Sequence, residues 1–295
     1  MIIVFSPRYH INIGSHVFPT IKYQLVHDAL AERGGFEFVE PEPASWDDLA
    51  LVHTLEYLEK IQTGRFTVSE IAQLELPWDP AIVEGFRLMT GGTLAAARRA
   101  LDAGIGLHIG GGFHHAFANH GEGFCLFNDV AMAIRVLKRD GRVTRAAVVD
   151  CDVHHGNGTA MIFDLDPFVF TFSIHQQHNY PAFKPRSSLD IGVDDRVQNV
   201  EYLAKLRHAL PQVFAFEPQL VFYLAGADPY EDDQLGGLAL TVEGLRERDR
   251  LVFSACREAR VPVVLTLAGG YARRVEDTVG IHRATFEAAA DVFRD

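Results

Sequence analysis

A single α/β domain spanning residues 1–295, built on a mostly parallel central sheet flanked by helices, is the fold the sequence predicts. Short β-branched or apolar runs alternate with longer stretches of helical periodicity from one end to the other. No repeat, low-complexity tract or Pro- or Ser-rich linker interrupts them. With 295 residues, 48% hydrophobic and 22% charged, the chain can fill one large core and carries no signature of disorder, collagen or coiled coil.

The runs at 2–5, 105–109, 146–149, 168–172, 220–224 and 261–267 are too short and too continuously apolar for amphipathic helices, so they read as strands buried on both faces. Between them, 80–103, 128–138, 196–216, 242–259 and 275–293 place apolar residues at helical spacing. The least regular segments, 64–79 and 176–195, are long enough to shape a site rather than merely connect elements.

A formal net charge of -12 argues against a chain that grips phosphate backbones, which needs clustered Lys and Arg. Such acidity is also ordinary for cytoplasmic enzymes. The three cysteines, Cys125, Cys151 and Cys256, have no metal-finger or CxxC spacing and fit a reducing compartment. The opening MIIVFSPRYH has neither a basic region nor a small-residue cleavage site, and no stretch approaches transmembrane length. The expectation is a cytoplasmic protein with no nucleic-acid or membrane partner; the oligomeric state is not encoded legibly.

In open parallel α/β sheets, ligands bind beyond the carboxyl ends of the strands. Polar residues cluster there. The strand at 105–109 runs into Gly-Gly-Gly-Phe-His114-His115, and that at 146–149 into Asp150-Cys-Asp152-Val-His154-His155-Gly-Asn157. The strand at 220–224 ends in Ala-Gly-Ala-Asp228, and that at 261–267 in Ala-Gly-Gly-Tyr271. All should converge on one rim. Asp152 and His154, two apart in extended chain, point the same way, and Asp228 completes a three-ligand set from another strand end. Three protein ligands with an open position is the catalytic zinc arrangement. Two carboxylates and one imidazole are hard donors, so ferrous iron is the alternative metal. An isolated Asp-x-His is more often a helix cap, here for residues 158–163, than a metal site.

The segments GGGFHHAFANHGEGFCLFNDVAMAI, VVDCDVHHGNGT, FSIH, AGADPYEDD and LAGGY, in this order and spacing, resemble the histone deacetylase superfamily across most of the chain. The early HVFPTIKYQLV segment and the compact length are most similar to its class IV-like branch, found also in bacteria. The resemblance implies the arginase-deacetylase fold. It also implies that Asp152, His154 and Asp228 bind zinc, that His115 is the general base beside an electrostatic partner His114, and that Tyr271 stabilises the oxyanion. Asp150 matches the carboxylate partner of His114, and Asn157 the partner of His115, which is Asp in some branches; a neutral Asn should leave His115 less basic. Asp150 and Ser173, with the carbonyls of Asp152, His154 and Ile174, match a potassium site; read locally, Asp150 could equally bond a helix N-terminus. Phe124 and the carbonyl of Gly123 match one side of a narrow acyl-lysine tunnel, with Tyr180 the candidate for the opposite wall.

The expected activity is therefore zinc-dependent hydrolysis of an acyl-lysine amide, with small acylated amines such as acetylpolyamines the alternative substrates. An acidic residue that orients substrate is expected on 64–79, where Glu70, Glu75 and Asp79 are available. A dinuclear manganese ureohydrolase would need Asp where Gly156 and Tyr230 stand. An inert binding module would lack a ligand, a base or the tyrosine, and none is missing.

Overall fold

A computed structural model describes residues 1–294. It contains one eight-stranded sheet in the order β2-β1-β3-β8-β7-β4-β5-β6, parallel throughout. The strands are β1 (Ile2–Val4), β2 (Glu37–Val39), β3 (Ile105–His108), β4 (Ala146–Asp150), β5 (Val169–Gln176), β6 (Leu189–Val193), β7 (Leu220–Leu224) and β8 (Val263–Thr266). Every residue of β4, β7 and β8 is buried, as a parallel sheet covered on both faces requires.

The helices fall into two packed groups. In one, α1 (Lys22–Arg33), α10 (Val275–Phe293), α9 (Val242–Ala259) and α8 (Asn199–Ala215) contact each other in that order. In the other, α5 (Pro80–Ala103) packs on α6 (Asp129–Arg139), joined by the short α2 (Trp46–Leu49), α3 (Leu55–Thr63) and α7 (Asn157–Phe163). The ends of α5 are written in its sequence: Asp79 accepts from Ala81 N, Pro80 opens the first turn, and Gly104 closes the last in the left-handed region. Gly106 lets α5 press on β3, since a Cβ there would lie 1.9 Å from the Ala96 carbonyl oxygen.

Two segments expected to be irregular are partly ordered. Residues 64–79 contain α4 (Val68–Leu74), closed by a capping box between Thr67 and Glu70. Residues 176–195 contain β6, an edge strand whose alternating exposure leaves it only one apolar face. The strand expected at 168–172 extends to Gln176.

Candidate active site

Strand order explains why the polar ends meet. β3, β8, β7 and β4 are consecutive in the sheet, with Leu107 opposite Leu265, Leu224 opposite Thr266, and Asp150 opposite Leu224. Their carboxyl ends surround a cavity of about 210 Å³ lined by His114, His115, Asp152, His154, Phe124, Tyr180 and Tyr271.

After β3 the chain turns sharply, and Asp129 of α6 holds the turn. Its carboxylate accepts the backbone N–H of Gly112 at 2.9 Å and of Phe113 at 2.7 Å, with the Thr93 hydroxyl at 2.5 Å. The two histidines that follow are fully packed, their Nε2 atoms 3.1 Å apart. His114 Nδ1 lies 2.7 Å from Asp150 Oδ2 and His115 Nδ1 lies 2.7 Å from Asn157 Oδ1. This difference in partner separates them. Burial opposes charge on His114, but the field and hydrogen bond of Asp150, with the field of Asp152, raise its pKa to about 9. Burial and the neighbouring His114 and His154 push His115 well below the usual histidine range.

Asp152, His154 and Asp228 come together with one donor atom of each within 4.8 Å of the others. His154 Nδ1 is 3.0 Å from Asp152 Oδ1 and 3.5 Å from Asp228 Oδ2. The second oxygens are fixed by backbone: Asp152 Oδ2 accepts Gly269 N at 2.7 Å, and Asp228 Oδ1 accepts Val153 N at 2.9 Å. These residues do not cap α7, whose N-terminus at Gly156 has no side-chain cap. The set fits a divalent cation, because Asp228 Oδ2 is buried with no hydrogen-bond partner among the described residues. Burial and the adjacent Asp152 push the Asp228 carboxyl up to about 7. An Asp in place of Gly156 would not fit, since even a Cβ there lies 2.5 Å from Asp150 Oδ2.

Among the described residues Asp150 bonds no helix N-terminus; besides His114 it accepts Asp152 N at 3.1 Å. It sits in register with Ser173 across β4 and β5, next to the buried Ile174. A second grouping, His155, His175 and Asp190, also has metal-ligating chemistry. There His155 Nε2 is 3.2 Å from Asp190 Oδ1, tying β6 to the loop after β4, and the His155 ring stands edge-on to that of His175 on β5 with centroids 4.7 Å apart.

Gly123 and Phe124 both have positive φ, a conformation uncommon for a bulky residue, and the turn presents the Phe124 ring to the cavity. Tyr180 stands edge-on to His115, with ring centroids 5.0 Å apart. Of the acidic residues on 64–79, Glu75 reaches the cavity, whereas Glu70 is bound to Thr67 and Lys60 and Asp79 caps α5.

Several residues here were not singled out by sequence reasoning. Asp233 accepts the backbone N–H of Tyr271 at 2.7 Å. Buried Lys22 donates to the Ala268 carbonyl at 2.9 Å, its ammonium 5.6 Å from the Tyr271 ring centre. Glu122 accepts from Asn157 and Tyr180. From behind the sheet, fully buried Arg248 of α9 donates to the carbonyls of Gly226 at 2.6 Å and Cys151 at 3.3 Å, and pairs with Asp249. Lys22, Glu122, Asp129 and Asp233 lay inside the segments that carry the family resemblance, and Arg248 lay outside them.

Known proteins match this chain in sequence and in fold. Residues 16–284 match the histone deacetylase domain family. The chain is 40% identical to an uncharacterized protein of Picosynechococcus sp., covering 99% of both, and 33% identical to histone deacetylase 2 of Arabidopsis thaliana, covering 94% of this chain and 77% of that one. Its fold is also that of an acetylpolyamine aminohydrolase from Burkholderia pseudomallei, with a TM-score of 0.80, 22% identity and 99% of both chains covered. With the family match covering most of the sequence and a relative named histone deacetylase 2 aligned over 94% of this chain, the chain belongs to the histone deacetylase family of hydrolases.

Proposed function

We propose that the protein is a zinc-dependent deacylase that hydrolyses the amide of an acyl-lysine. The observation that carries this reading is an aromatic cavity, walled by Phe124 and Tyr180, whose lining includes Asp152 and His154, with Asp228 buried beside them in the same cluster. An aromatic slot suits a flexible methylene stem, and Gly123, in the same lining, would offer its backbone carbonyl to a substrate N–H. Bound by the trio, zinc would polarise the amide carbonyl and acidify a water molecule. Asp150 and Ser173, with the carbonyls of Asp152, His154 and Ile174, would hold a structural potassium ion behind them.

The chain's own groups carry the proton. Nε2 of His115, kept neutral by burial, takes a proton from water as its oxygen bonds to the carbonyl carbon. His114, held cationic by Asp150, supplies positive charge beside the centre. The Tyr271 hydroxyl, whose pKa burial raises well above the ordinary, stays protonated and donates to the carbonyl oxygen as that oxygen becomes negative. His115 then delivers its proton to the amide nitrogen as the C–N bond breaks, releasing carboxylate and amine.

Glu75 at the cavity, its carboxyl pKa raised by partial burial, is the acid that meets the substrate beyond its stem. That same position would attract a distal ammonium, which favours small acylated amines as the second reading. The test compares turnover of acetyl-lysine peptides, peptides with longer acyl chains and acetylpolyamines, with metal content measured on the same sample. One zinc per chain and a preference for acyl-lysine peptides are expected; a clear polyamine preference transfers the assignment to the second reading, and two manganese ions per chain overturn both.

A further inference from the structure

We infer that Glu122 is a positioning residue that sets which ring nitrogen of His115 carries the proton, acting through the Asn157 amide. The inference rests on the reading of His115 as the base. A base at Nε2 must keep its proton on Nδ1, and Asn157 is a poor guarantor of that by itself. An amide has an acceptor end and a donor end of nearly equal shape, and it can turn either toward the imidazole. A carboxylate in that position would leave no such freedom.

Glu122 removes the ambiguity one step further out. Asn157 Nδ2 lies 2.7 Å from Glu122 Oε1, and Asn157 Oδ1 lies 2.7 Å from His115 Nδ1. An ionised carboxylate only accepts, so the amide must give it the NH₂ and turn its oxygen to His115. His115 Nδ1 is then the donor, and its Nε2 lone pair faces the cavity. Ionisation of Glu122 is secured by its surroundings. Burial opposes it, but hydrogen bonds from His120, Gln73, Asn157 and Tyr180 bring its carboxyl down to about 2.

Glu122 has a second attachment. The same Oε1 accepts the Tyr180 hydroxyl at 2.8 Å, while a tight turn, Cys125 N to Glu122 O at 2.9 Å, carries Gly123 and Phe124 between. One carboxylate thus anchors the base and one aromatic wall, and the backbone carbonyl of the same residue starts the turn that carries the other. Without it, Asn157 is free to turn its NH₂ to Nδ1 and move the proton to Nε2. In a triad whose orienting carboxylate is replaced by an amide, that tautomer error costs ~10⁴-fold.

The test uses Glu122→Leu, Asn157→Asp, their combination and Tyr180→Phe in the metal-loaded enzyme. Glu122→Leu should lower kcat by ~10²-fold or more with unchanged metal content. Asn157→Asp alone sets a second carboxylate against Glu122 and should also impair kcat. Combined with Glu122→Leu it supplies His115 with a direct acceptor and should restore kcat to within ~10-fold of wild type. Tyr180→Phe should act chiefly on KM. Losses that add in the double variant would mean a packing role and overturn the inference, as would full kcat in Glu122→Leu. Histidine ¹⁵N spectra read the tautomer without any substrate: His115 should be Nδ1–H in wild type and Tyr180→Phe, and mixed in Glu122→Leu. If no acyl substrate is turned over but the tautomer follows Glu122, the base assignment fails and the positioning stands. A tautomer indifferent to Glu122 refutes the positioning itself.

Discussion

Gly269→Ala isolates the geometry of the three-ligand trio. The backbone at this position is one that L residues adopt, so the substitution adds only a Cβ. That atom would stand 1.9 Å from Asp228 Oδ2 and 2.6 Å from Asp152 Oδ2, where real Cβ contacts essentially never fall below 3.0 Å. Asp228 is wholly buried and must give way by about 1 Å, against a tolerance of about 0.2 Å in ligand distances. Loss of a ligand should weaken metal binding by more than the ~10–100-fold typical of outer-sphere changes. The readout is thermal or urea unfolding with chelator and with added zinc. At a metal concentration about 1,000 times the wild-type Kd, binding stabilises wild type by about 4.1 kcal/mol; a 100-fold weaker site retains about 1.4 kcal/mol. A folded Gly269→Ala variant that binds zinc within tenfold of wild type would refute the placement of Asp152 and Asp228 as ligands.

Other expectations concern the oxyanion, acid stability and a helix. Tyr271→Phe should lower kcat by ~10²–10³-fold with metal content unchanged, measured by turnover and elemental analysis of one sample. Burial lowers the His53 pKa to about 4, where Nδ1 faces the Phe117 carbonyl and Nε2 accepts Asn128 N–H. Its folded value lies below the unfolded ~6.5, so the unfolded chain binds more protons between them; the contribution of neutral His53 is complete above ~6.5 and lost as pH falls through about 4. At about 1.4 kcal/mol per unit this is about 3 kcal/mol, and His53→Leu should flatten the pH dependence of urea unfolding in chelator by that amount. Gly280→Ala in α10, where a Cβ meets nothing within 4 Å, should stabilise the fold by about 0.5–1 kcal/mol in the same assay.

What the sequence made legible was whatever is carried locally. The bounds of α5 follow from Asp79, Pro80 and Gly104, and the buried strands follow from their unbroken apolar runs. The edge strand β6 escaped because Asp190 and Gly192 interrupt its pattern and half of it faces solvent. Four strand-end motifs could be assigned to one rim because a parallel sheet puts all carboxyl ends on one side, and the chain order within the sheet makes their strands neighbours. The supporting residues were hidden for the opposite reason. Lys22 meets Ala268 across 246 positions and Arg248 meets Cys151 across 97, contacts no local pattern encodes. Among Glu70, Glu75 and Asp79, only packing distinguishes the residue that reaches the cavity from the two that cap helices.

Arg248 gives the active centre a rear entrance for variation. It grips the carbonyl just before Asp152 and the one two residues before Asp228, so the spacing of the two carboxylates is set partly from α9, on the side substrate never visits. Its partner Asp249 is in turn held by Tyr223 at 2.5 Å and by Thr285 of α10 at 2.6 Å. Drift in the packing of α9 against α10 therefore reaches the proposed metal ligands Asp152 and Asp228 as a change in bite, through helices that carry no motif at all.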